Sequence, residues 1–129
     1  MNNISSLNSS GARLAWWQNL SAQWKAVFIA NANISATPTD AELQKVLHLE
    51  KIDCSDCKLT DVQPLQYLAN LREINCSKNR ILDISPLLHL KHLQCFDYEH
   101  NLSYDEEELL RNASNFLCDN FPNLQELIL

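Results

Sequence analysis

Cationic residues are scarce in this sequence of 129 residues. Ten Lys and Arg stand against sixteen Asp and Glu, which gives a formal net charge of −6. Nucleic acids and anionic membrane surfaces attract proteins through clustered Lys and Arg side chains, and a chain with this balance lacks a surplus of them. The composition therefore argues against nucleic acid and against a membrane as partners.

Long apolar runs and a secretory leader are also lacking. No stretch approaches the roughly 18 apolar residues of a membrane-spanning helix. The start, MNNISSLNSSGARLAWW, has no basic segment followed by an apolar core. The five cysteines are an odd number, and an odd count without a secretory signal favours free thiols in a reducing compartment. We therefore expect a cytoplasmic protein, and its initial Met suggests a complete reading frame.

A constant period organises the stretch from Leu49 to Asn101, where Leu49, Leu71 and Leu93 recur at a fixed offset of 22 in the numbering. Residues repeated at a fixed period stack into continuous inner columns when each repeat packs only on its neighbours. The other matching sets are Ile52/Ile74/Phe96, Cys54/Cys76/Tyr98, Cys57/Asn79/Asn101, Asp61/Asp83, Pro64/Pro86, Leu65/Leu87 and Leu68/Leu90.

The pattern L-x-x-L-x-L-x-x-N/C-x-L is the signature of leucine-rich repeats. The segments LDISPL at 82–87 and CSKN at 76–79 resemble the short, proline-containing class found in bacterial internalin-type proteins and in regulatory subunits of a protein phosphatase. The resemblance covers roughly residues 43–129. It implies an α/β right-handed solenoid with a short parallel sheet on its concave face. It also implies protein binding rather than catalysis, although the family is defined by a scaffold.

One domain with five segments is predicted. Leu14, Trp17, Leu20, Trp24, Val27 and Phe28 recur at three- and four-residue steps, which is typical of one amphipathic helix of about 18 residues. This helix would cover the open end of the first repeat. Trp16 lies off the apolar stripe and is therefore the better candidate for a partner contact. The segments are 1–11 (flexible), 12–35 (N-terminal helical cap), 36–58 (first atypical repeat), 59–101 (regular repeats) and 102–129 (lengthened last repeat).

Three further helix starts can be read from capping residues. The first lies at Pro38 or at a capping box of Thr39 with Glu42. Ser85 before Pro86 is typical of an N-cap followed by the first helical residue. Ser103-x-x-Glu106 predicts a helix inside the lengthened repeat.

Alternation along each strand predicts which side chains face outward on the concave side. The resemblance implies that this face binds a protein, and its excess of acids fits a basic partner. The alternative is a merely solvated face. The residues are Lys51, Asp53, Ser55, Glu73, Asn75, Ser77, Cys95, Asp97, Glu99 and Glu126.

The segment LQELIL at the end of the sequence re-enters the repeat pattern, because Leu124 takes the place of Leu93 after a longer interval. Its strand is predicted to form an edge with unpaired backbone groups, and such an edge can pair with another chain. A homodimer through Leu127, Ile128 and Leu129 is one expectation. The alternative is that the chain belongs to a longer protein.

The pair Cys54-x-x-Cys57 raises the possibility of a metal or redox site. Zinc requires four ligands, and only Cys76 offers itself as a third. The repeat assigns Cys54 to an inner column. It assigns Cys57 to the column that it shares with Asn79 and Asn101, which we call the asparagine column, so we expect neither a metal nor a cofactor. The histidines fall on scattered columns and predict no catalytic set, hence no enzyme; they are His48, His89, His92 and His100.

Overall fold

The structure, a computed structural model, describes residues 7–101 and 121–128. Three helices come first: α1 (Ser10–Gln18), α2 (Ala22–Ala32) and α3 (Asp40–Leu47). None of the helices within these ranges is long and apolar enough to cross a membrane. Three predictions lie outside the described residues: those on residues 1–6, on a helix starting at Ser103 and Glu106, and on Leu129.

Four parallel strands form one sheet in the order β1-β2-β3-β4. In register, Ile52 pairs with Ile74, Ile74 with Phe96, and Phe96 with Leu127. Both the regular repeats and the lengthened last repeat therefore advance the chain by one strand across the sheet, which confirms the predicted period. The strands are β1 (Lys51–Asp53), β2 (Glu73–Asn75), β3 (Cys95–Asp97) and β4 (Glu126–Ile128).

The core lies between the sheet and two 3₁₀ helices, Gln63–Tyr67 and Ser85–Leu87, which return the chain to the next strand. Pro64 and Pro86 lie in their first turns, where a missing backbone N–H costs little. Each buried large apolar side chain contributes roughly 1.5–3 kcal/mol. The fully buried columns include Leu65, Leu68, Leu71, Leu87, Leu90 and Leu93.

The prediction of one long cap helix is wrong, because the chain breaks between α1 and α2. Asn19 ends α1, and the Ser21 hydroxyl accepts a hydrogen bond from the Trp24 N–H at 3.2 Å to begin α2. The serine hydroxyl satisfies the Trp24 N–H, which in a continuous helix would donate to a backbone carbonyl oxygen instead. α1 begins at Ser10, inside the segment predicted to be flexible.

This break changes which side chains of the predicted stripe are buried. Trp17, Trp24 and Phe28 are buried as expected, but Leu14 is 44% exposed. Trp16, the candidate for a partner contact, is partly exposed and packs with ring centroids 5.4 Å from Phe28 and 6.1 Å from Tyr67. Its aromatic ring therefore joins the cap to the first return segment.

The helix starts differ in detail from the expected ones. The capping box of Thr39 and Glu42 is confirmed, and Thr39 rather than Pro38 precedes α3. Ser85 does not cap its 3₁₀ helix, since Ile84 occupies that place. The Asp83 carboxylate accepts from the Ser85 N–H at 2.9 Å instead, because a carboxylate two residues earlier reaches this amide in a local turn.

Candidate functional site

The concave face of the sheet carries two outward columns in register. The first stacks Lys51, Glu73, Cys95 and Glu126, one from each strand. The second stacks Asp53, Asn75, Asp97 and Ile128. All eight side chains are exposed or partly exposed, so the structure brings the predicted strand residues together on one surface.

The third column follows the strand ends and is less accessible than predicted. Ser55 and Glu99 are partly exposed, but Ser77 is only 6% exposed. The Ser77 hydroxyl donates to Asn75 Oδ1 at 2.8 Å. The prediction that Ser77 is exposed on the concave face is therefore wrong, because its side chain is buried and its hydroxyl is bonded to the Asn75 side chain.

The Asp and Asn side chains of the second column also hold the strand ends. Asp53 Oδ1 accepts from the Ser55 N–H at 3.0 Å, and Asn75 Oδ1 from the Ser77 N–H at 3.1 Å. Asp97 Oδ1 accepts in the same way from the Glu99 N–H, at 3.1 Å. The sequence signal was an Asp or Asn at the same place in each of three consecutive repeats, just before the turn. One oxygen of each side chain is thus already used.

Charge in the first column is dominated by carboxylates. Lys51 Nζ lies 3.2 Å from Glu73 Oε2, with both side chains substantially exposed. Burial, followed by the charges of Glu126 and Glu73, raises the pKa of the Cys95 thiol. Cys95 is therefore a neutral thiol between two carboxylates, and Glu126 completes the acidic end of the column.

The asparagine column ties consecutive repeats together. Asn79 Oδ1 accepts from the Cys57 N–H at 3.0 Å and from the Leu59 N–H at 2.9 Å. Its Nδ2 donates to the carbonyl oxygens of Cys54 at 2.9 Å and Cys76 at 3.0 Å. Asn101 repeats this arrangement one step later. The buried amides fix the turns beside the concave face.

Two cysteines of the first repeats, Cys54 and Cys76, are buried free thiols. Burial raises the pKa of Cys54 well above its usual range and that of Cys76 to about 12. Thiol chemistry proceeds through the thiolate, and burial disfavours this form at Cys54 and Cys76. Within the described residues, no three or more His, Cys, Asp or Glu side chains are grouped to hold a metal ion.

Comparison with known proteins supports a leucine-rich repeat family. Residues 47–89 match the family model for Leucine Rich repeats (2 copies). An internalin (inlF) from Listeria monocytogenes has a similar structure, with a TM-score of 0.59 and 26% identity over 82% of this chain and 28% of that one. Residues 47–89 therefore consist of leucine-rich repeats. The fold is the predicted solenoid, in which N-terminal helices precede a short parallel sheet along the chain.

A second comparison structure is internalin C2 (inlC2) from Listeria monocytogenes, at 16% identity and a TM-score of 0.48. It is matched over 82% of this chain and 62% of that one. The chain spans less than two thirds of either internalin. No curated protein matches it. Leucine-rich repeat proteins generally mediate protein–protein interaction through their extended concave surfaces.

The histidines of this repeat protein lie apart and bond mainly to backbone. His48 Nδ1 is 2.7 Å from the Gln44 carbonyl oxygen at the end of α3. His89 Nε2 is 2.7 Å from a carbonyl oxygen of the preceding return segment. His100 Nε2 lies 3.9 Å from Glu99 Oε2 in the turn after β3.

The last strand places apolar atoms at the end of the acidic columns. Ile128 is 37% exposed and faces outward, as predicted, and Leu127 is half-buried. In the described part of the chain, β4 pairs with β3 alone. An apolar residue therefore lies beside the Asp97 carboxylate on the outer face.

Proposed function

We propose that the protein is a non-enzymatic binding module that holds a basic protein partner on the concave face of its sheet. The observation that carries this proposal is the stacking of like charge across adjacent strands. Neighbouring strands lie about 4.8 Å apart, so the carboxylates form a dense field. Five acids oppose one base on this face: Asp53, Glu73, Asp97, Glu99 and Glu126 against Lys51.

The geometry of the face favours binding over simple solvation. The Asp53, Asn75 and Asp97 side chains are fixed by their turn hydrogen bonds. A partner would therefore meet acceptors that lose little conformational entropy on binding. Such a surface accelerates encounter with a cationic partner, an effect that weakens as salt rises.

The sharpest test removes charge without breaking the turns. Glu73 and Glu126 lie in the first column, outside the turn hydrogen bonds, so Glu73→Gln/Glu126→Gln removes two charges and leaves the strand ends intact. The probe is a fluorescein-labelled, lysine-rich peptide followed by fluorescence anisotropy. We expect the double variant to bind it roughly tenfold more weakly at low salt, since each exposed ion pair contributes up to about 1 kcal/mol.

The matched control removes two exposed carboxylates outside the strands. Glu50→Gln/Asp56→Asn has the same change in net charge, and both residues are exposed. It should keep at least half of the wild-type affinity. Equal weakening in both double variants would show a nonspecific charge effect and would contradict binding at the concave face.

Self-association through β4 is a second proposal, favoured by the outward position of Ile128. Exposed strand edges pair with other chains, and a charge placed there opposes pairing. Light scattering over a range of concentrations should show a dimer for the wild type and a monomer for Ile128→Lys. A wild type that stays monomeric throughout the range would rule out this assembly.

We further propose that the protein works in a reducing compartment such as the cytoplasm. The four described cysteines, Cys54, Cys57, Cys76 and Cys95, are free thiols. Differential alkylation in intact cells should find them reduced. Recovery of the protein with oxidised cysteines would argue for a different compartment.

A further inference from the structure

A depression with the opposite charge lies on the turns that follow the strands. It is lined by Lys58, Lys78, Arg80 and His100, together with Asp56 and Thr60, and has a volume of about 560 Å³. We call it the basic depression. Three of the ten Lys and Arg in a chain of net charge −6 meet there, with one carboxylate among them. The charge of the protein is thus segregated between two surfaces.

The cations of the basic depression are not consumed by ion pairs. Lys58, Lys78 and Arg80 are exposed. Elsewhere cations have acidic partners, as in Arg13 with Asp40 and Lys51 with Glu73. No salt bridge joins the three depression cations to an acid in the described part of the chain. Their charges repel one another, and an anion placed between them would relieve that repulsion.

The backbone beneath these cations is rigidly held. The Asp56 N–H donates to the Ser77 carbonyl oxygen at 2.9 Å, and the Lys78 N–H to the Glu99 carbonyl oxygen at 2.8 Å. The Arg80 N–H donates to the Leu59 carbonyl oxygen at 2.9 Å. Each bond joins one repeat to the next, so the spacing of the cations is set by the solenoid itself.

That spacing runs along the axis of the solenoid. Lys58 and Arg80 are separated by one full repeat, as are Lys78 and His100, and both pairs therefore lie on adjacent repeats. Repeats stack at about the strand spacing of 4.8 Å. Lys58 and Arg80 thus form a short row of positive charge with Lys78 beside it, which matches a chain of several anionic groups better than a single ion.

We propose that the basic depression binds an acidic peptide segment of a partner protein. Its volume suits several side chains and exceeds what one small anion fills. Arg80 offers a planar donor fork for a carboxylate, and the lysines offer point charges. An extended nucleic acid fits less well, because its phosphates continue past the few cations toward the acidic concave face. This surface is separate from the concave face and does not depend on the function proposed for it.

The test uses a fluorescein-labelled, glutamate-rich peptide with the whole chain. Lys78→Gln/Arg80→Gln removes two cations of the basic depression. The control, Lys45→Gln/Lys91→Gln, removes two exposed cations elsewhere. We expect the Kd at low salt to rise roughly tenfold in the first variant and less than twofold in the control. Amide shifts of the wild type in NMR should centre on residues 56–60, 78–80 and 100.

Several outcomes would overturn the proposal. Absence of binding would do so, as would equal weakening in both variants or amide shifts centred away from the depression. Tighter binding of an oligothymidylate than of the peptide would assign the site to nucleic acid. Displacement of the peptide by millimolar inorganic phosphate would reduce it to a simple anion site. Circular dichroism of both variants should match that of the wild type, because all four substitutions are at exposed positions.

Discussion

Asn31 and Asp53 form a reciprocal pair of hydrogen bonds that closes the first edge of the sheet. The Asp53 N–H donates to Asn31 Oδ1, and Asn31 Nδ2 donates to the Asp53 carbonyl oxygen, both at 2.9 Å. A side-chain amide offers the same donor and acceptor as a backbone peptide. The cap helix α2 thus supplies the partner that a preceding strand would give, and the edge of β1 is blunted.

Asn31→Ala should destabilise the protein by about 1–2 kcal/mol, because two backbone groups of Asp53 lose their partner. Urea denaturation followed by circular dichroism measures this as a lower midpoint at an unchanged slope. Gln23→Ala, at an exposed site on the same helix, is the control and should change stability by less than about 0.5 kcal/mol. Equal stability of the two variants would show that the edge is closed by other contacts.

Asn79→Ala should cost about 3 kcal/mol or more. The substitution removes the partner of the Cys57 and Leu59 N–H groups and of the Cys54 carbonyl oxygen in a largely buried place. Cys57→Ala, in the same column one repeat earlier, should cost less than about 1 kcal/mol, since its Sγ makes a single bond to the Ser55 carbonyl oxygen. Chemical denaturation compares the pair, and similar losses would contradict the role of the asparagine amide.

Alkaline pH should destabilise the protein through Cys76. Burial raises the pKa of this thiol from 9.0 to about 12, so above pH 9 the unfolded chain releases a proton that the folded chain keeps. Stability is therefore retained below pH 9 and falls by up to about 1.4 kcal/mol per pH unit above it. In Cys76→Ala the slope of unfolding free energy against pH should be less negative between pH 9 and 11. Parallel slopes would contradict the shift.

The Arg13–Asp40 contact joins α1 to α3 and should be sensitive to acid. Arg13 Nε lies 2.7 Å from Asp40 Oδ1, and this hydrogen bond lowers the pKa of Asp40 below 3.8. The stabilisation is therefore present above pH 3.8 and is lost as the pH falls through the lower, folded value. Asp40→Asn should lower the Tm at pH 7 and converge on the wild type at more acidic pH.

A double-mutant cycle checks that this effect belongs to the pair. Arg13→Gln/Asp40→Asn should be scarcely less stable than either single variant, because both singles already remove the contact. Additive losses at pH 7 would mean that the two side chains act through separate neighbours.

The repeat made much of the architecture predictable. Leu71 and Leu93 repeat at the step that brings their strands into register, so the sequence placed them in one inner column. The asparagine column was predictable for the same reason, because Asn79 and Asn101 share that step. Local capping was also readable where donor and acceptor lie within one turn, as for Thr39 and Glu42.

Other features could not be read from the pattern. Trp17 and Trp24 are spaced along the chain in a way that fits one continuous helix as well as two helices broken at Ser21. The hydrogen bond of Ser21 to the Trp24 amide decides between them. Asn31 precedes Asp53 by one repeat period, but nothing in the helical pattern of α2 marks it as a partner of the sheet.

The sequence by itself determined the period, the inner columns and the sign of the charge on the outer face, because these follow from residue type and spacing along the chain. Tertiary structure alone decided which polar groups remain free. Ser55 and Ser77 occupy equivalent positions, yet Ser77 is buried and Ser55 partly exposed. Exposure depends on what packs against a residue from neighbouring repeats, and that is a property of the folded surroundings rather than of the local sequence.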